Sequence, residues 1–307
     1  MYNLFSMRLS IAAVAMFSLA GLVCAAPDEL DDSYAKLKAA VDKKDAAAVK
    51  AVEPDVVKGA KALIDAPKPA AADEQKDWEN RVQYGKEVEL YTEYALSTMA
   101  EQAGDPATTV EFADMLLAQN PKSKYIDEPF ANAFLVALGK SGGSAKQVAG
   151  MAKIAAGRPE NIVALMVLVE RTSGAGQLNY ANKLIAASKQ PRPENIPEAE
   201  WEKTKNEALA NGYYYAGIAD GQRRSFVDCD KNLTAALPLL AGNESKLGVA
   251  YYELGFCKYS FGKQINDRTR MQAGQQLVEK SAGIKSPMQN QAYRDNLLMK
   301  QELGGRR

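Results

Sequence analysis

Histidine is absent from this chain of 307 residues, and its absence removes several large classes of site. Without imidazole there is no Ser-His or Cys-His nucleophile pair, no histidine general base and no histidine-containing metal site. An excess of charge of either sign is also lacking, since 38 lysine and arginine residues balance 38 aspartate and glutamate residues. No basic stripe is available to neutralise a phosphate backbone, so nucleic acid is not expected as a partner.

Long hydrophobic runs are limited to the N-terminus. An apolar stretch from Leu9 to Val23 follows Met7-Arg8 and precedes small residues, which is the order typical of a secretory signal peptide. The run has about 15 residues, fewer than the ~20 that a membrane-spanning helix needs. We therefore expect residues 1–25 to be a signal peptide cleaved after Ala25. This predicts a secreted or periplasmic protein with no retained membrane span.

Cys24 offers an alternative at the same place, because a lipoprotein would begin its mature chain at an acylated cysteine. A lipid-attachment motif normally has a small residue directly before that cysteine, and Val23 stands there instead. Cleavage after Ala25 is therefore the favoured interpretation. It leaves two cysteines, Cys229 and Cys257, in a compartment that favours disulfides.

Strand signals are sparse, since Val and Ile are few and the sequence shows no sustained alternation of apolar and polar residues. Apolar residues instead recur at i, i+3, i+4 and i+7, the spacing that places one stripe along a helix. Two such sets are Ile162, Leu165, Met166 and Val169, and Leu247, Ala250, Tyr251 and Leu254. Proline and glycine clusters divide the chain into segments of roughly 12 to 20 residues. We predict an all-α fold in which antiparallel helix pairs stack into an α-solenoid.

Two segments carry a family pattern. Tyr251 to Tyr259, followed by Phe261-Gly262-Lys263, resembles the first helix of a tetratricopeptide repeat, where an aromatic residue precedes a Leu-Gly pair and another follows it. Asp105 to Pro121 is similar to a second repeat helix closed by the family's terminal proline. The prolines are unevenly spaced, with 38 residues from Pro121 to Pro159 and 32 from Pro159 to Pro191, which marks the repeats as degenerate. The resemblance covers residues 80–290 and implies a right-handed solenoid of roughly four to five repeats, whose first helices line a concave groove.

Domain boundaries are suggested by composition. The stretch 66–72 reads Ala-Pro-Lys-Pro-Ala-Ala-Ala and is the best linker candidate, because proline fixes extended backbone and nothing large and apolar is present. Residues 26–65 before it are predicted to form an N-terminal helical hairpin. Residues 73–307 after it are predicted to form the tetratricopeptide-like repeat domain.

The two remaining cysteines are predicted to lie side by side. The helix that carries Cys229 is expected to end near Leu240 and the helix that carries Cys257 to begin near Ser245, so the turn centres on Asn243. Each cysteine is 14 residues from that centre, and residues equidistant from the turn of an antiparallel hairpin lie at the same height. This register meets the geometric requirement of a disulfide. Two buried reduced thiols are the alternative.

Catalytic motifs are lacking. Ser33-Tyr34-Ala35-Lys36 matches the nucleophile pair of penicillin-binding enzymes, but the partner motifs are missing. The segment from Gly255 to Lys263 does not have the spacing of a phosphate-binding loop. Carboxylates are numerous, and two of them suffice for glycan hydrolysis, yet the sequence singles out no pair. We therefore expect no catalytic residues, no cofactor and no metal.

Aromatic residues cluster on the predicted first helices of the repeats. Successive helical residues rotate by about 100°, so the three consecutive tyrosines at 213–215 cannot all face the core. A rigid amphipathic ring in a groove is a good anchor for an extended peptide or glycan. For any single tyrosine a core position is the favoured interpretation, whereas some exposure is expected for the cluster as a whole. The candidate groove residues are Tyr213, Tyr214, Tyr251, Tyr252 and Arg223.

These features favour an exported scaffold or binding protein that holds a protein or peptide partner on its concave face. Two other functions stay open. One is an all-α envelope hydrolase that acts on glycans through paired carboxylates. The other is a purely structural subunit of an envelope complex that packs through its convex face.

Overall fold

The computed structural model describes residues 29–192 and 196–305. The expected signal peptide, Cys24 and the expected cleavage site lie outside the described residues. Within them the chain forms α-helices and one short 3-10 helix, Leu237–Leu240, and no strand. The all-α prediction is confirmed for this part of the chain. The helices are α1 Glu29–Asp42, α2 Ala46–Ile64, α3 Ala72–Gln102, α4 Pro106–Gln119, α5 Glu128–Gly157, α6 Ile162–Arg171, α7 Gly174–Ala187, α8 Glu198–Gln222, α9 Phe226–Ala236, α10 Glu244–Gln264, α11 Arg268–Ala282 and α12 Gln289–Gly305.

Short polar side chains begin many of these helices. An aspartate or asparagine at the N-cap accepts a hydrogen bond from the backbone N–H three residues later, which satisfies a donor that the helix itself leaves free. The capping residues are Asp45, Asp105, Asp127, Asn161, Asn243 and Asp267. Inside α5, Gly143 has a φ of 68°, a conformation that glycine adopts without strain, and the helix kinks there. Gly142-Gly143 is one of the glycine clusters expected from the sequence to divide the chain into helical segments.

The described residues fall into two compact units, residues 29–88 and residues 89–305. In the first unit, α1 and α2 pack as a hairpin with Leu37 and Val56 fully buried. The first half of α3 packs on α2, because Gly85 lets its backbone approach the carbonyl oxygen of Ala60. Trp78 donates a hydrogen bond of 2.8 Å to the carbonyl oxygen of Ala66. The stretch 66–72, predicted as a linker, thus joins α2 to α3 inside this unit, and the division between units falls later, within α3.

The second unit is built from helix pairs that pack in sequence order. Each helix from α4 to α12 contacts the next one along the chain. In addition, α6 contacts α8, α8 contacts α10, and α10 contacts α12. The even-numbered helices from α6 to α12 therefore form one layer, and α7, α9 and α11 each lie against two of them. The prediction of packed neighbouring helix pairs is confirmed for this unit.

Glycines set the closest helix contacts in this unit. A Cβ added at Gly255 of α10 would lie 2.6 Å from the carbonyl oxygen of Gly274 on α11, and the reverse distance is also 2.6 Å. At the corresponding place in the preceding pair, a Cβ at Gly217 of α8 would lie 2.5 Å from the side chain of Leu233 on α9. These contacts leave no room for a side chain, so they fix how α8 and α10 are rotated about their axes.

The predicted cysteine register is confirmed. Asn243 caps α10 at the turn, and the sulfur atoms of Cys229 on α9 and Cys257 on α10 lie at the disulfide-bonding distance of 2.06 Å, with their Cα atoms 6.4 Å apart. Both cysteines are fully buried. Gly221 of α8 covers the pair, since a Cβ there would lie 3.2 Å from one sulfur and 3.4 Å from the other. The bond therefore joins two helices beneath a third.

Replacing Gly255 with alanine should destabilise the protein by about 1 to 3 kcal/mol or more, because the added methyl group meets backbone atoms of α11 that cannot rotate away. Gly304→Ala is the matched control, since nothing lies within 4 Å of its added Cβ, and it should change stability by less than about 0.5 kcal/mol. Urea unfolding followed by far-ultraviolet circular dichroism measures both. Equal stability of the two variants would contradict the proposed contact.

Replacing both cysteines with alanine should lower the free energy of unfolding by about 3 to 4 kcal/mol, because the bond closes a loop with a sequence separation of 28 residues. Urea unfolding of the double variant, compared with wild type before and after reduction, gives this difference. Thiol titration of the denatured, unreduced wild type should find no free thiol from this pair. Two reactive thiols would show that the cysteines are reduced.

Candidate functional site

Four neighbouring helices, α8, α9, α11 and α12, cover most of the surface of α10 and leave one side exposed. Gly255 faces α11 and Cys257 faces α9, as described above. Tyr252 reaches α12 and Lys246 reaches α8, each through a hydrogen bond. The remaining side carries Phe256, which is 39% exposed. We call the exposed side of α8, α10 and α12 the even-helix face and define it by Tyr215, Lys246, Glu253, Phe256 and Leu298.

Two tyrosines fix the register between α10 and α12. The hydroxyl of Tyr252 donates a hydrogen bond of 2.7 Å to Asp295, and the hydroxyl of Tyr259 donates one of 2.9 Å to Glu302. Both bonds join residues 43 positions apart, so the two helices run parallel. The same offset places Phe256 within one residue of the level of Leu298, which is 63% exposed and follows Asp295 by one helical turn. Two exposed apolar side chains therefore lie at the same height.

The ring of Phe256 is supported from below. It stacks on the ring of Tyr252, with the ring centroids 6.4 Å apart and an angle of 21° between the ring planes. Burial, the hydrogen bond to Asp295, and the negative charges of Asp295 and Glu253 raise the pKa of Tyr252. The hydroxyl therefore stays protonated at physiological pH and keeps its role as a donor. This hydrogen bond to Asp295 holds in place the Tyr252 ring on which Phe256 stacks.

Glu253 precedes Phe256 by three residues, so the two side chains are neighbours on the surface of α10. Burial alone raises the pKa of Glu253, with no contribution from a charged or hydrogen-bonding neighbour. Within the part of the chain that the structure describes, its carboxylate has no hydrogen bond and no ion pair. A half-buried carboxylate without a partner is unusual, because desolvation of a charge is normally offset by pairing.

Farther along the same face, Lys246 bridges three helices. Its Nζ lies 3.3 Å from Glu170 of α6 and donates a hydrogen bond of 2.6 Å to Asn211 of α8. The same Nζ lies 5.2 Å from the ring centroid of Tyr215, within cation–π range. Burial and the charge of Glu170 raise the pKa of Tyr215 to about 12. This arrangement holds a cation between an aromatic ring and a carboxylate.

Tyr214 and Tyr252, both predicted for the groove, are core residues. They are only 6% and 8% exposed, and each belongs to a buried apolar cluster. Little of either ring is available to a partner. The interpretation of a single tyrosine as a core residue applies to both.

Tyr213 and Tyr251 are half-buried on the other side of their helices. The ammonium group of Lys189, just after α7, lies 5.9 Å from the ring centroid of Tyr213, and that of Lys280 on α11 lies 5.5 Å from that of Tyr251. Both rings therefore point toward the odd-numbered helices and away from the even-helix face. Arg223 is exposed where α8 ends, and the structure gives it no contact with the other four predicted residues.

Sequence reasoning missed Phe256, Glu253 and Leu298. A signal for Phe256 was present, because the spacing that relates Tyr213-Tyr214 to Tyr251-Tyr252 also relates Ile218 to Phe256. Once glycines at 217 and 255 are assigned to the contact between paired helices, the residue that follows each glycine turns toward the even-helix face. No comparable signal identifies Glu253, because its lack of a partner depends on the other helices.

A cavity of about 490 Å³ lies among helix ends and is lined by Arg158, Glu128 and Trp201, among others. Its arginine is engaged within the protein. Arg158 lies 2.7 Å from Glu160 and donates a hydrogen bond to the carbonyl oxygen of Ser123. Burial raises the pKa of Glu128. These contacts tie together the ends of neighbouring helices and are typical of a structural network.

Comparisons with protein-family models, with curated proteins and with solved structures found no match to this chain. The tetratricopeptide resemblance therefore rests on the residues quoted above. Among residues 29–192 and 196–305, no helix is both long enough and apolar enough to cross a membrane. In the same described ranges, no three acidic or cysteine side chains come together in a way that could hold a metal ion.

Replacing Glu253 with glutamine should stabilise the protein at neutral pH. Because burial raises the pKa of Glu253 in the folded state, wild-type stability falls as pH rises from the unfolded pKa through the folded one. Glutamine removes this loss, so the advantage of the variant should grow over that interval and be absent below the unfolded pKa of about 4.3. Urea unfolding of the variant and the wild type at pH values from about 3.5 to about 8 measures this difference in stability.

Glu279→Gln is the control with the opposite sign. Hydrogen bonds from Lys300 and Gln275 lower the pKa of Glu279, so its charge favours the folded state above the unfolded pKa, and that contribution is lost as pH falls. Its replacement should not stabilise the protein at neutral pH. A loss of stability in Glu253→Gln at neutral pH would show that Glu253 has a partner.

Proposed function

We propose that this chain is an exported, tetratricopeptide-like scaffold that binds a segment of another protein on its even-helix face. The helix pairs form a right-handed solenoid in this proposal, and the even-helix face is its concave side. The observation that carries the proposal is the exposed apolar pair of Phe256 and Leu298 at one height on adjacent parallel helices. Aromatic anchors of this kind dominate the energy of many protein interfaces.

The bridge made by Lys246 supports a concave face. Packed helix axes lie about 8 to 10 Å apart, so in a flat layer the axes of α6 and α10, on either side of α8, would be roughly 16 to 20 Å apart. Lys246 of α10 nevertheless reaches Glu170 of α6 at 3.3 Å. Two side chains meet most easily across an intervening helix when the layer curves toward them. An extended segment would lie along this curved surface.

The cysteine pair supports the proposal that the protein is exported. Fully buried sulfur atoms at disulfide-bonding distance are typical of proteins from oxidising compartments. This agrees with the apolar N-terminal stretch that resembles a signal peptide. The lack of a membrane-spanning helix in the described residues is compatible with a protein released after cleavage.

A glycan hydrolase is the second candidate, and Glu253 is the observation that favours it. Burial raises the pKa of Glu253, as a general acid requires, and its position next to an exposed ring suits a sugar. Asp295, which accepts a hydrogen bond from Tyr252, would be the second carboxylate of such a site. Turnover of cell-wall glycan that Glu253→Gln abolishes would establish this activity in place of scaffolding.

The scaffold proposal is tested by photocrosslinking in the native envelope. A photoreactive phenylalanine analogue is placed at Phe256, and in a control protein at Val227, which is 58% exposed on the odd-numbered helix α9. Position 256 should crosslink to a defined protein that position 227 does not reach. Equal crosslinking from both positions, or none from either, would contradict the proposal.

Once the partner is identified, Phe256→Ala should weaken its binding by at least about tenfold, because the substitution removes a central aromatic anchor. Val227→Ala should leave the affinity unchanged. Titration calorimetry with the purified partner measures both, and circular dichroism confirms that both variants fold. Unchanged affinity in Phe256→Ala would move the contact surface elsewhere.

A further inference from the structure

The exposed ring of Phe256 lies in a negatively charged environment. Glu253 lies beside it on the same helix, and Asp295 reaches the same place from α12 through its hydrogen bond with Tyr252. Both carboxylates act on the Tyr252 hydroxyl, which places them near the ring that Phe256 covers. Two negative charges therefore border one exposed aromatic surface.

No cation of the described residues neutralises these two carboxylates. Glu253 has no partner, and Asp295 accepts hydrogen bonds from the neutral donors Tyr252 and Gln291. The cations on α10 and α12 that flank the site have other partners. Lys246 is paired with Glu170, Lys263 with Glu302 at 2.9 Å, and Arg294 donates to Gln291 at 2.7 Å.

The same face shows what such a site holds when a cation is supplied from within the chain. Near the start of α10, Lys246 lies over the ring of Tyr215 on α8 and pairs with Glu170 on α6. An aromatic ring and a carboxylate thus hold an ammonium group there. The surface around Phe256 has the ring and the carboxylates without the cation.

We propose that the surface around Phe256 binds a lysine or arginine side chain of the partner segment, with the cation over the ring and between Glu253 and Asp295. The inference rests on the proposed scaffold function and adds the chemistry of its partner. A basic side chain complements both parts of the surface, since its charge pairs with the carboxylates and its face or stem packs on the ring. Leu298 at the same height accepts an apolar neighbour in the segment.

Charge complementarity decides for a basic segment over an acidic or purely apolar one. An acidic segment would place like charge beside Glu253, which opposes binding. A purely apolar segment would bury Glu253 further without a partner and so increase its desolvation cost. A cation relieves that cost when it binds.

The experiment uses the purified full-length protein and two small probes, N-acetylarginine methylamide and its neutral isostere N-acetylcitrulline methylamide. Selective labelling of phenylalanine reports on the Phe256 ring in an NMR titration. The arginine probe should shift the Phe256 resonances saturably and bind at least about fivefold more tightly than the citrulline probe, because only the former carries the charge. Equal binding of the two probes would overturn the inference.

Two substitutions test whether the carboxylates of Glu253 and Asp295 bind the cation of the probe. Glu253→Gln and Asp295→Asn should each weaken the arginine probe at least about threefold, and added salt should weaken it further. Glu279→Gln, which removes an exposed carboxylate of α11 paired with Lys300, is the matched control and should bind as wild type does. Loss of binding in the control, or none in the two site variants, would contradict the assignment.

Failure of this inference is distinguishable from failure of the proposed function. If position 256 crosslinks to a defined protein but neutral substitution of the basic residues in its crosslinked segment leaves affinity unchanged, the scaffold stands and the cation site falls. If the arginine probe binds at Phe256 but position 256 captures no protein, the cation site stands and the scaffold falls.

Discussion

The close contact between α10 and α11 at Gly255 and Gly274 is the constraint on which the site depends. Each glycine leaves room for the carbonyl oxygen of the other, and no side chain fits between them. This contact fixes the rotation of α10 about its axis. With Gly255 held against α11, the next residue, Phe256, turns outward, while Tyr252 turns toward α12 and Cys257 toward α9. A backbone contact inside one helix pair therefore selects the residues that face solvent.

The even-helix face combines features that do not serve stability. Glu253 is desolvated and has no partner in the described part of the chain, so its charge disfavours the folded state at neutral pH. The exposed side chains of Phe256 and Leu298 are also solvated at a cost in free energy. Around them, the buried cysteine pair, the tyrosine hydrogen bonds to α12 and the bridge from Lys246 hold the helices in place. A surface of this kind is expected where function has been retained against stability.

Much of the fold followed from the sequence because the information is local. Helical periodicity and capping residues depend on neighbours within one turn, and the cysteine register depends only on distances from the turn at Asn243. The groove residues were harder to predict, for a geometric reason. Adjacent tyrosines on a helix point about 100° apart, so the sequence shows that their rings differ in environment. It does not show which ring is exposed. In the pairs Tyr213-Tyr214 and Tyr251-Tyr252, the second ring lies in the core and the first points toward the odd-numbered helices.

Local sequence accounts for the helical class, the pairing of neighbouring helices and the meeting of Cys229 with Cys257, since each follows from contacts within a helix or a hairpin. The exposure of Phe256 follows from tertiary packing, as does the absence of a partner for Glu253 among the described residues. Those properties depend on α8, α11 and α12, whose residues approach α10 from distant parts of the chain. The rotation of a helix among its neighbours is a property of the whole packed unit, and no single segment encodes it.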